Sequence, residues 1–598
     1  MPFDRPVTSS IIASRLNTVR GYESADRLRI EQPTMNPHDM TASSSTPICP
    51  GKPAAAPSAD PSARRRGVGR TGSATLTRAA VLIIAVFTAA WLAGCGSLPV
   101  AVKRQPTFAI APQADSPLVR VVTASAPRSA TGLSGVRLLP LGPYSLDARL
   151  QLVQRAVHSI DIQYYVFDND STGRLLLSEL ERAAQRGVRV RLLVDDLYTA
   201  NSESMLRAMS ATPGVEVRLF NAFCCARSHG PVARFAASLL DVRRLNHRMH
   251  NKLLLADGAM AITGGRNIAD DYFQRGSQTN FVDMDALVVG AVVGDLAAVF
   301  DRYWNSDVVR PIQALTPATG GVDTLRADFQ SLTADARAAP PLALLPQDLL
   351  GYGPVGVELD AGRMALHWGP ALALADPPDK LTRDADKAWA DSLAYSALMK
   401  IWTAEGEVTI TSPYLIPGPL GIDAFRALRD RHVKVTVLTN SLAATDEPLV
   451  HTGYARYRPA LVDAGVALYE LSPSRAPREK RLGVIGSSSG RLHAKTAVVD
   501  GDKVFIGSMN LDPRSRTQNT ELGLFVENRQ LASEMSLVVD VSRLQSAYRV
   551  RRSPESGQLQ WLVRDNQGET VHDTEPEASF WLRLHNAVLG VFVPEQLL

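Results

Sequence analysis

The chain contains one short motif twice, with identical internal spacing, and this repetition constrains its fold more than any other feature. Each copy has a histidine, a lysine two positions later and an aspartate seven positions after the histidine. Six residues then separate the aspartate from two small residues, and an asparagine follows after one further position. The copies lie 243 residues apart and comprise His250, Lys252, Asp257, Gly264, Gly265 and Asn267, and His493, Lys495, Asp500, Gly507, Ser508 and Asn510. Repetition in this detail predicts two related halves that together build one site.

Each motif predicts a β-hairpin that gathers polar side chains at its open end. Asp257 and Asp500 each precede a glycine between two apolar runs, which is a strong signal for a tight turn. His250 and Lys252 are two positions apart, so on a strand they project from the same face. The returning strand then brings the small residues opposite the histidine and leaves the asparagine nearby. We therefore interpret the two aspartates as turn-forming structural residues and the histidines, lysines and asparagines as the chemical ones.

Two histidines, two lysines and two asparagines in one cluster are suited to the chemistry of a phosphoryl group. Lysine and asparagine donate hydrogen bonds to non-bridging oxygens and stabilise developing charge. One histidine can attack phosphorus while the other protonates the leaving alcohol. A His-x-Lys pair is not a metal-ligand pair, so no metal or other cofactor is expected. The predicted substrate-binding residues are Lys252, Lys495, Asn267, Asn510, Ser508 and Gly265.

The paired motifs resemble those of the phospholipase D superfamily, and further segments resemble its bacterial cardiolipin synthase C-like branch. These segments are 160–166, 248–252, 300–306, 438–446 and 510–515. The resemblance runs from about Leu138 to the C-terminus. It implies an α/β fold with two tandem halves related by a pseudo-twofold axis, and an active site at their interface. It also implies phosphatidyl transfer between phospholipids through a covalent phosphohistidine intermediate.

The family mechanism adds a carboxylate that holds each catalytic histidine from behind. After the second motif, Glu521 fits this role. After the first motif, Asp283 and Asp285 are both candidates, and the position of the family's carboxylate favours Asp283. Family precedent makes the N-terminal histidine the nucleophile, although the sequence itself does not break the symmetry. The predicted catalytic residues are His250, Lys252, His493, Lys495, Asn267, Asn510, Asp283 and Glu521.

Three other functions compete with phosphatidyl transfer. Hydrolysis of phospholipids differs only in whether water or an alcohol resolves the intermediate. A nuclease is a second alternative, because the superfamily contains nucleases, and a lipid-binding module with a dead site is a third, which the intact motifs disfavour. The whole chain carries a net charge of +4 and its first 94 residues carry +5, so the remainder carries −1. This near-neutral body argues against nucleic acid as a partner.

Residues 1–95 are predicted to be a leader that is removed or anchored. The apolar run Ala79–Ala93 follows Arg78 and is short for a membrane span. It ends in Leu-Ala-Gly-Cys95, which looks like a bacterial lipoprotein cleavage site and implies that Cys95 becomes lipidated. The body would then be membrane-anchored on the periplasmic side of the cell envelope, and Gly96 after the cysteine is compatible with the outer membrane. An uncleaved membrane anchor is the alternative.

The rest of the chain is predicted to contain a tether (96–135), a first half (136–310), a linker (311–380), a second half (381–540) and a C-terminal extension packed on the body (541–598). Three pairs of similar strand segments recur at offsets of 246, 245 and 251, which predicts α/β halves with a largely parallel sheet. Cys224 and Cys225 are adjacent, so two thiols or an unusual redox feature are expected. The basic segment Arg227–Arg248 either contacts a headgroup or is an exposed loop. His451 either lines the cleft or is structural.

Overall fold

The structure is a computed structural model, and it describes residues 104–592 apart from 225–226, 228–231, 235–240, 317–319, 340–341, 381, 476–488 and 566–567. The predicted leader and its Cys95 lie outside the described residues. Within these ranges, no helix has the length and apolar character needed to cross a membrane.

Two large sheets contain most of the strands. The strands in and beside the first sheet are β1 (Ser134–Leu139), β2 (Ser159–Tyr164), β3 (Arg189–Asp195), β4 (Val215–Phe220), β5 (Arg248–Met249), β6 (Leu253–Ala256), β7 (Met260–Gly264), β8 (Thr279–Val282), β9 (Asp285–Gly290), β10 (Val309–Pro311) and β11 (His367–Gly369). Those in and beside the second are β12 (Ala371–Ala375), β13 (Glu407–Thr411), β14 (Lys434–Asn440), β15 (Ala467–Leu471), β16 (Ser489–Leu492), β17 (Thr496–Val499), β18 (Lys503–Gly507), β19 (Asn519–Thr520), β20 (Leu522–Glu527), β21 (Ala547–Arg552), β22 (Leu559–Asp565) and β23 (Gly568–His572).

Helices cover the sheets and connect their parallel strands. They are α1 (Pro117–Ser125), α2 (Gly142–Arg155), α3 (Ser171–Gln185), α4 (Glu203–Met209), α5 (Val242–Leu245), α6 (Ala291–Trp304), α7 (Ile312–Leu315), α8 (Val322–Ala338), α9 (Val355–Asp360), α10 (Ala385–Ala390), α11 (Leu393–Ile401), α12 (Gly418–Asp430), α13 (Pro448–Asp463), α14 (Pro513–Thr517), α15 (Arg529–Ser546) and α16 (Phe580–Phe592). Short 3₁₀ turns lie at Thr199–Asn201 and Asp270–Phe273.

The two large sheets have the same central strand order, which confirms the predicted duplication. The first runs β10-β4-β3-β2-β6-β7-β9-β1-β11 and the second runs β12-β20-β18-β17-β13-β14-β15-β21-β22-β23. Among the described strands of the two large sheets, only β2, β3 and β4, and likewise β13, β14 and β15, are parallel neighbours. The expectation of a largely parallel sheet is therefore wrong. The motif hairpins enter each sheet through short connections of three residues, 257–259 and 500–502, and such connections force antiparallel pairing.

The strand alignment between the halves also differs from the sequence prediction. Gln163 of β2 pairs with Leu253, and Thr411 of β13 pairs with Thr496. Since Leu253 and Thr496 are 243 residues apart, β2 corresponds to β13 with an offset of 248 rather than 246. Short apolar strands contain too little information to fix a register to within two residues.

Both motifs form the predicted hairpins, β6–β7 and β17–β18. Asp257 and Gly258 have φ values of 51° and 61°, and Asp500 and Gly501 have 50° and 67°. Positive φ at two successive residues is the conformation that Asp-Gly favours in tight turns, and here it lies within a three-residue connection. Thus the assignment of both aspartates as turn-formers is confirmed.

The turn aspartates also tie each hairpin to the strand beside it. The buried carboxylate of Asp257 accepts hydrogen bonds from the N–H groups of residues 157–159 and from the hydroxyl of Ser116 at 2.7 Å. The half-buried carboxylate of Asp500 accepts from the N–H groups of residues 405–407. Each aspartate therefore caps the start of β2 or β13, which is a structural role.

The two halves share an apolar core and exchange short strands. One core cluster contains residues of both large sheets and of α6 and α15. Strand β16 of the second half pairs in parallel with β8 of the first, and β19 pairs in parallel with β5. The linker adds β11 to the first sheet and β12 to the second, and β21–β23 extend the second sheet beyond β15. The two halves therefore form a single body with a shared core and are not two independent domains.

We predict that Asp257→Asn lowers the free energy of unfolding by about 1–3 kcal/mol, because an amide cannot replace a carboxylate that accepts four hydrogen bonds in a buried site. Asp500→Asn is the matched control and should cost less, because its turn is half-exposed and has no serine partner. Urea denaturation measures both losses. Turnover per folded molecule should be unchanged, and a catalytic loss without a stability loss would contradict the structural role.

Candidate active site

Both motif histidines lie at the boundary between the halves. His250 directly follows β5, and its N–H donates to the carbonyl of Thr520 in the second half. His493 directly follows β16, and its N–H donates to the carbonyl of Val282 in the first half. The histidines are only 6% and 5% exposed. The short strands exchanged between the halves therefore deliver both side chains to one buried location.

Each histidine is held by a carboxylate from the opposite half. The Nδ1 atom of His250 lies 2.8 Å from Oε2 of Glu521, and the Nδ1 atom of His493 lies 2.7 Å from Oδ2 of Asp283. An ionised carboxylate accepts the Nδ1 proton, so the lone pair of each neutral ring is on Nε2. The crossing of these pairs between halves gives each ring a fixed orientation only when the two halves are docked.

The structure distinguishes between the two aspartates that follow the first motif. Oδ2 of Asp285 accepts hydrogen bonds from the hydroxyl of Ser145 at 2.7 Å and from the guanidinium of Arg149 at 2.9 Å. Asp285 is thus held in a buried ion pair with α2. Asp283 is the carboxylate that reaches His493, in the position for which the sequence favoured it.

The small residues of the motifs support the carboxylates. A side-chain Cβ at Gly265 would lie 2.0 Å from Oδ1 of Asp283, so that only glycine leaves room for this carboxylate. At the matching position, Ser508 donates its hydroxyl to Glu521, and Ser515 donates to the other oxygen of Glu521 at 2.8 Å. Gly265 and Ser508 thus position the carboxylates, and their contact with substrate stays a prediction.

The two motif lysines are buried beside the histidines. Nζ of Lys252 donates to the carbonyl of His250 at 2.7 Å, and Nζ of Lys495 donates to the carbonyl of His493. Burial is the main cause that lowers the pKa of Lys252 to about 7 and that of Lys495 to about 8. An anion in the site reverses this cost, because it favours the charged ammonium groups. The site is therefore prepared for a negatively charged group.

Burial also favours the neutral form of the histidines. It lowers the pKa of His250 to about 4, with a further decrease from Lys252, and it lowers the pKa of His493. Burial acts to raise the pKa of Asp283, but His493, Lys495 and Arg266 outweigh it and lower that pKa to about 2. Neutral rings beside ionised carboxylates are competent to act as nucleophile or base.

The two asparagines differ in their surroundings. Asn267 donates from Nδ2 to the hydroxyl of Tyr272 at 2.8 Å, and its oxygen accepts from the N–H of Val166 at 3.3 Å. The side-chain oxygen of Asn510 is buried and has no hydrogen-bond partner within the described residues. A buried unpaired polar atom is costly, and such atoms in native sites commonly face a ligand. This oxygen is an acceptor and does not bind a phosphoryl oxygen, so the ligand contact of both asparagines stays a prediction.

Two tyrosines next to the histidines were not predicted. The ring of Tyr165 lies edge-on to His250 with a centroid distance of 5.0 Å, and the ring of Tyr272 lies edge-on to His493 at the same distance. Both rings restrict the rotation of the histidine beside them. Tyr165 lies within the segment 160–166 that resembled the family, and this resemblance was the only sequence signal for it.

Four polar residues behind the site were also missed. Oδ2 of Asp195 accepts the N–H of Met249 at 2.8 Å, and Asn440 exchanges two hydrogen bonds of 2.9 Å with the backbone of Leu492. These residues lie at the ends of β3 and β14, and they fix the backbone of β5 and β16, the short strands that precede the two histidines. Asp376 accepts the N–H of Glu521 and the ammonium of Lys380, each at 2.9 Å. The matching ends of β3 and β14 could have identified the first two, but the linker sequence offered no signal for the others.

The structure also bears on the sequence predictions made for His451, for the basic segment that begins at Arg227 and for the adjacent cysteines. His451 lies 2.9 Å from Arg458, is buried with it and contacts the half-buried Glu575, so it has a structural role. Arg227 pairs with Asp196 and Glu203, so it holds its own segment. Cys224 is disulfide-bonded, so the expectation of a free thiol is wrong for this residue, while Cys225 lies outside the described residues. In the described part of the chain, no group of three His, Cys, Asp or Glu residues could hold a metal ion.

We predict that Gly265→Ala lowers kcat by about 10²-fold, because the added methyl group displaces Asp283 and releases the ring of His493. Gly294→Ala is the matched control, since a Cβ at this position on α6 meets no atom within 4 Å. Steady-state kinetics and a melting curve on each variant separate the catalytic effect from unfolding. Equal activity in the two variants would show that Asp283 does not need this clearance.

Comparison with known proteins agrees with this geometry. The family described as "Cardiolipin synthase, PLD-like domain" matches residues 150–304 and 398–540, one region in each half. Cardiolipin synthase C of Escherichia coli K12 is 38% identical over 461 residues, which cover 76% of this chain and 94% of that protein. A cardiolipin synthase of Staphylococcus aureus Mu50 is 25% identical over 397 residues, or 66% of this chain and 64% of that protein.

A solved structure shares the fold. Phosphatidylserine synthase of Haemophilus influenzae Rd KW20 aligns with a TM-score of 0.50 at 12% identity, over 82% of this chain and 97% of that chain. At this identity the likeness concerns the fold alone. Together with the sequence relatives and the two motifs that meet at one site, it leads to one assignment: the chain belongs to the PLD-like cardiolipin synthase family of the phospholipase D superfamily.

Proposed function

We propose that the protein transfers a phosphatidyl group from one phospholipid to another, through a covalent phosphohistidine intermediate. The observation that carries this proposal is the crossed pairing of two buried, neutral histidines with Asp283 and Glu521. One ring is thus available to attack phosphorus and the other to handle the proton of the alcohol. Family membership supports the choice of phospholipids as substrates.

The reaction takes place in two successive displacements at phosphorus. In the first, Nε2 of His250, the histidine that family precedent favours, bonds to phosphorus, the bond from phosphorus to the leaving alcohol breaks, and protonated His493 gives that alcohol its proton. In the second, His493 takes the proton of the incoming hydroxyl, the new oxygen bonds to phosphorus, and the bond to His250 breaks. The negative substrate favours the protonated form of His493 that the first step requires.

Charge on the phosphoryl oxygens is stabilised by the buried polar groups. Lys252 and Lys495 have ammonium groups whose pKa values are lowered by burial, and a bound phosphodiester restores their protonation. Asn510 adds a side chain whose oxygen is otherwise unpaired and whose amide can donate. No step in this scheme requires a metal ion.

We predict that the purified full chain, given vesicles of phosphatidylethanolamine and phosphatidylglycerol, forms a lipid with two phosphatidyl groups, measured by mass spectrometry. His250→Ala or His493→Ala alone should lower turnover at least about 10³-fold, because both rings act in one reaction. His158→Ala is the control, since His158 lies at the surface and pairs with Asp115. Activity should survive a strong chelator.

Other outcomes identify the competing functions. Phosphatidic acid as the main product would indicate phospholipid hydrolysis, and cleavage of DNA would indicate a nuclease. Half of the wild-type activity in either single-histidine variant would show two independent sites and would contradict the joint mechanism. A chelator-sensitive activity that only a divalent ion restores would contradict the metal-free scheme.

We further propose that the leader is cleaved before Cys95 and that this cysteine is acylated, which anchors the body on the periplasmic side of the cell envelope. The short apolar run and the Leu-Ala-Gly-Cys sequence support this proposal. Mass spectrometry of the mature N-terminus should therefore give an acylated Cys95. An intact peptide from Trp91 to Leu98 in purified membranes would instead show a signal anchor.

A further inference from the structure

The C-terminal helix α16 has an exposed apolar face. Phe580 and Trp581 are 62% and 73% exposed, and Leu584 and Val588 are also exposed. Phe580, Leu584 and Val588 are spaced four residues apart and so lie on one side of the helix. The helix contains no acidic residue, and its only basic or titratable side chains are those of Arg583 and His585.

The opposite side of α16 is held firmly against the second half. Asn586 is buried, and a Cβ at Gly590 would lie 3.5 Å from Thr452 on α13. The segment before the helix is also held. Glu575 accepts from Arg458 at 2.8 Å, and Glu577 accepts from Ser472 at 2.7 Å. The apolar face is therefore presented by an ordered helix and does not result from a loose terminus.

The attachment of α16 places it at the edge of the second sheet that contains the active site. Strands β13, β14 and β15 are parallel, so their carboxyl ends lie at one edge. Asn440 at the end of β14 holds the backbone of Leu492, the residue before His493. Ser472 directly follows β15 and binds the segment that leads into α16. The helix is thus fastened to the edge from which the catalytic side chains project.

Two more exposed apolar side chains lie at the carboxyl ends of the strands. Leu449 is in the first turn of α13, which follows β14, and Tyr198 follows β3 in the first half. The ring of Tyr198 lies 5.3 Å from that of Tyr165, which in turn contacts His250. We call the set Tyr198, Leu449, Phe580, Trp581, Leu584 and Val588 the carboxyl-edge surface.

We propose that the carboxyl-edge surface docks on a phospholipid bilayer, with α16 lying in the plane of the interface beside the mouth of the active site. This inference rests on the proposed function, in which the substrate is a membrane lipid. Both histidines are at most 6% exposed, so a scissile phosphate has to leave the bilayer surface to reach them. A body held against the bilayer at this edge shortens that transfer.

The chemistry of the surface favours a bilayer over a protein partner or a second copy of the chain. Trp and Tyr combined with aliphatic side chains are characteristic of the membrane–water interface, and the absence of acidic side chains on α16 avoids repulsion from anionic lipids. The helix has 13 residues and a length of about 20 Å, which is too short to span a bilayer but suitable for lying on one.

The test uses the full chain with vesicles of phosphatidylethanolamine and phosphatidylglycerol whose acyl chains are brominated. Bromine quenches the fluorescence of tryptophan that enters the acyl region. Trp581→Phe should reduce the quenched fraction of the total emission, because it removes a residue that lies in the interface. Without vesicles, the wild-type protein and Trp581→Phe should not differ in the quenched fraction of their emission.

A second measurement compares turnover on vesicles with turnover on a short-chain phospholipid that is monomeric in solution. The combined variant Phe580→Ser, Leu584→Ser and Val588→Ser should lower turnover on vesicles about tenfold and leave turnover of the soluble lipid unchanged. Phe108→Ser is the matched control. Phe108 is also 62% exposed, but it lies beside Arg189 at the start of β3, at the opposite end of the strand from the site.

The outcomes separate this inference from the proposed function. Wild-type protein that processes neither form of lipid would refute the proposed function, while the quenching of Trp581 would still report docking. Unchanged quenching in Trp581→Phe, or equal loss of turnover on both lipids in the triple variant, would overturn the docking surface. Retained vesicle turnover combined with a loss of self-association would assign the face to a second copy of the chain and would likewise overturn it.

Discussion

Two hydrogen bonds between a histidine and a carboxylate of the opposite half determine how the rest of this protein is built. Glu521 lies 271 positions from His250, and Asp283 lies 210 positions from His493. Neither ring can be oriented until both halves have folded and docked. The shared apolar core, the exchanged strands β5–β19 and β8–β16, and the linker strands all maintain that docking. Catalytic geometry is thus coupled to the integrity of the whole body.

The fold was largely predictable because the motif spacing is itself a structural constraint. An Asp-Gly turn between apolar runs has few alternatives to a tight hairpin, and both hairpins are present. Strand direction and register were less predictable. Apolar composition indicates burial but not orientation, so that a mixed sheet was mistaken for a largely parallel one. For the same reason the offset between β2 and β13 was wrong by two residues.

The residues that form the site were predicted better than the hydrogen bonds between them. Spacing placed histidine, lysine and asparagine together, because all of them lie within one hairpin. The spacing could not show that Ser508 donates to Glu521 or that Asn267 donates to the hydroxyl of Tyr272, because those contacts depend on how separate elements pack. The positions of Asp376 and Lys380 behind the site could not be predicted for the same reason. They lie in a segment whose sequence is unremarkable and whose importance arises only from its position behind Glu521.

The difference between Gly265 and Ser508 means that these two positions are not interchangeable between the halves. The first half has a glycine that makes room for a short aspartate, and the second has a serine whose hydroxyl holds a longer glutamate. A serine at position 265 would clash with Asp283, and a glycine at position 508 would leave Glu521 without its hydroxyl donor. The small residue and the carboxylate beside it are therefore matched within each half, so that an engineered exchange between the halves has to move both residues together.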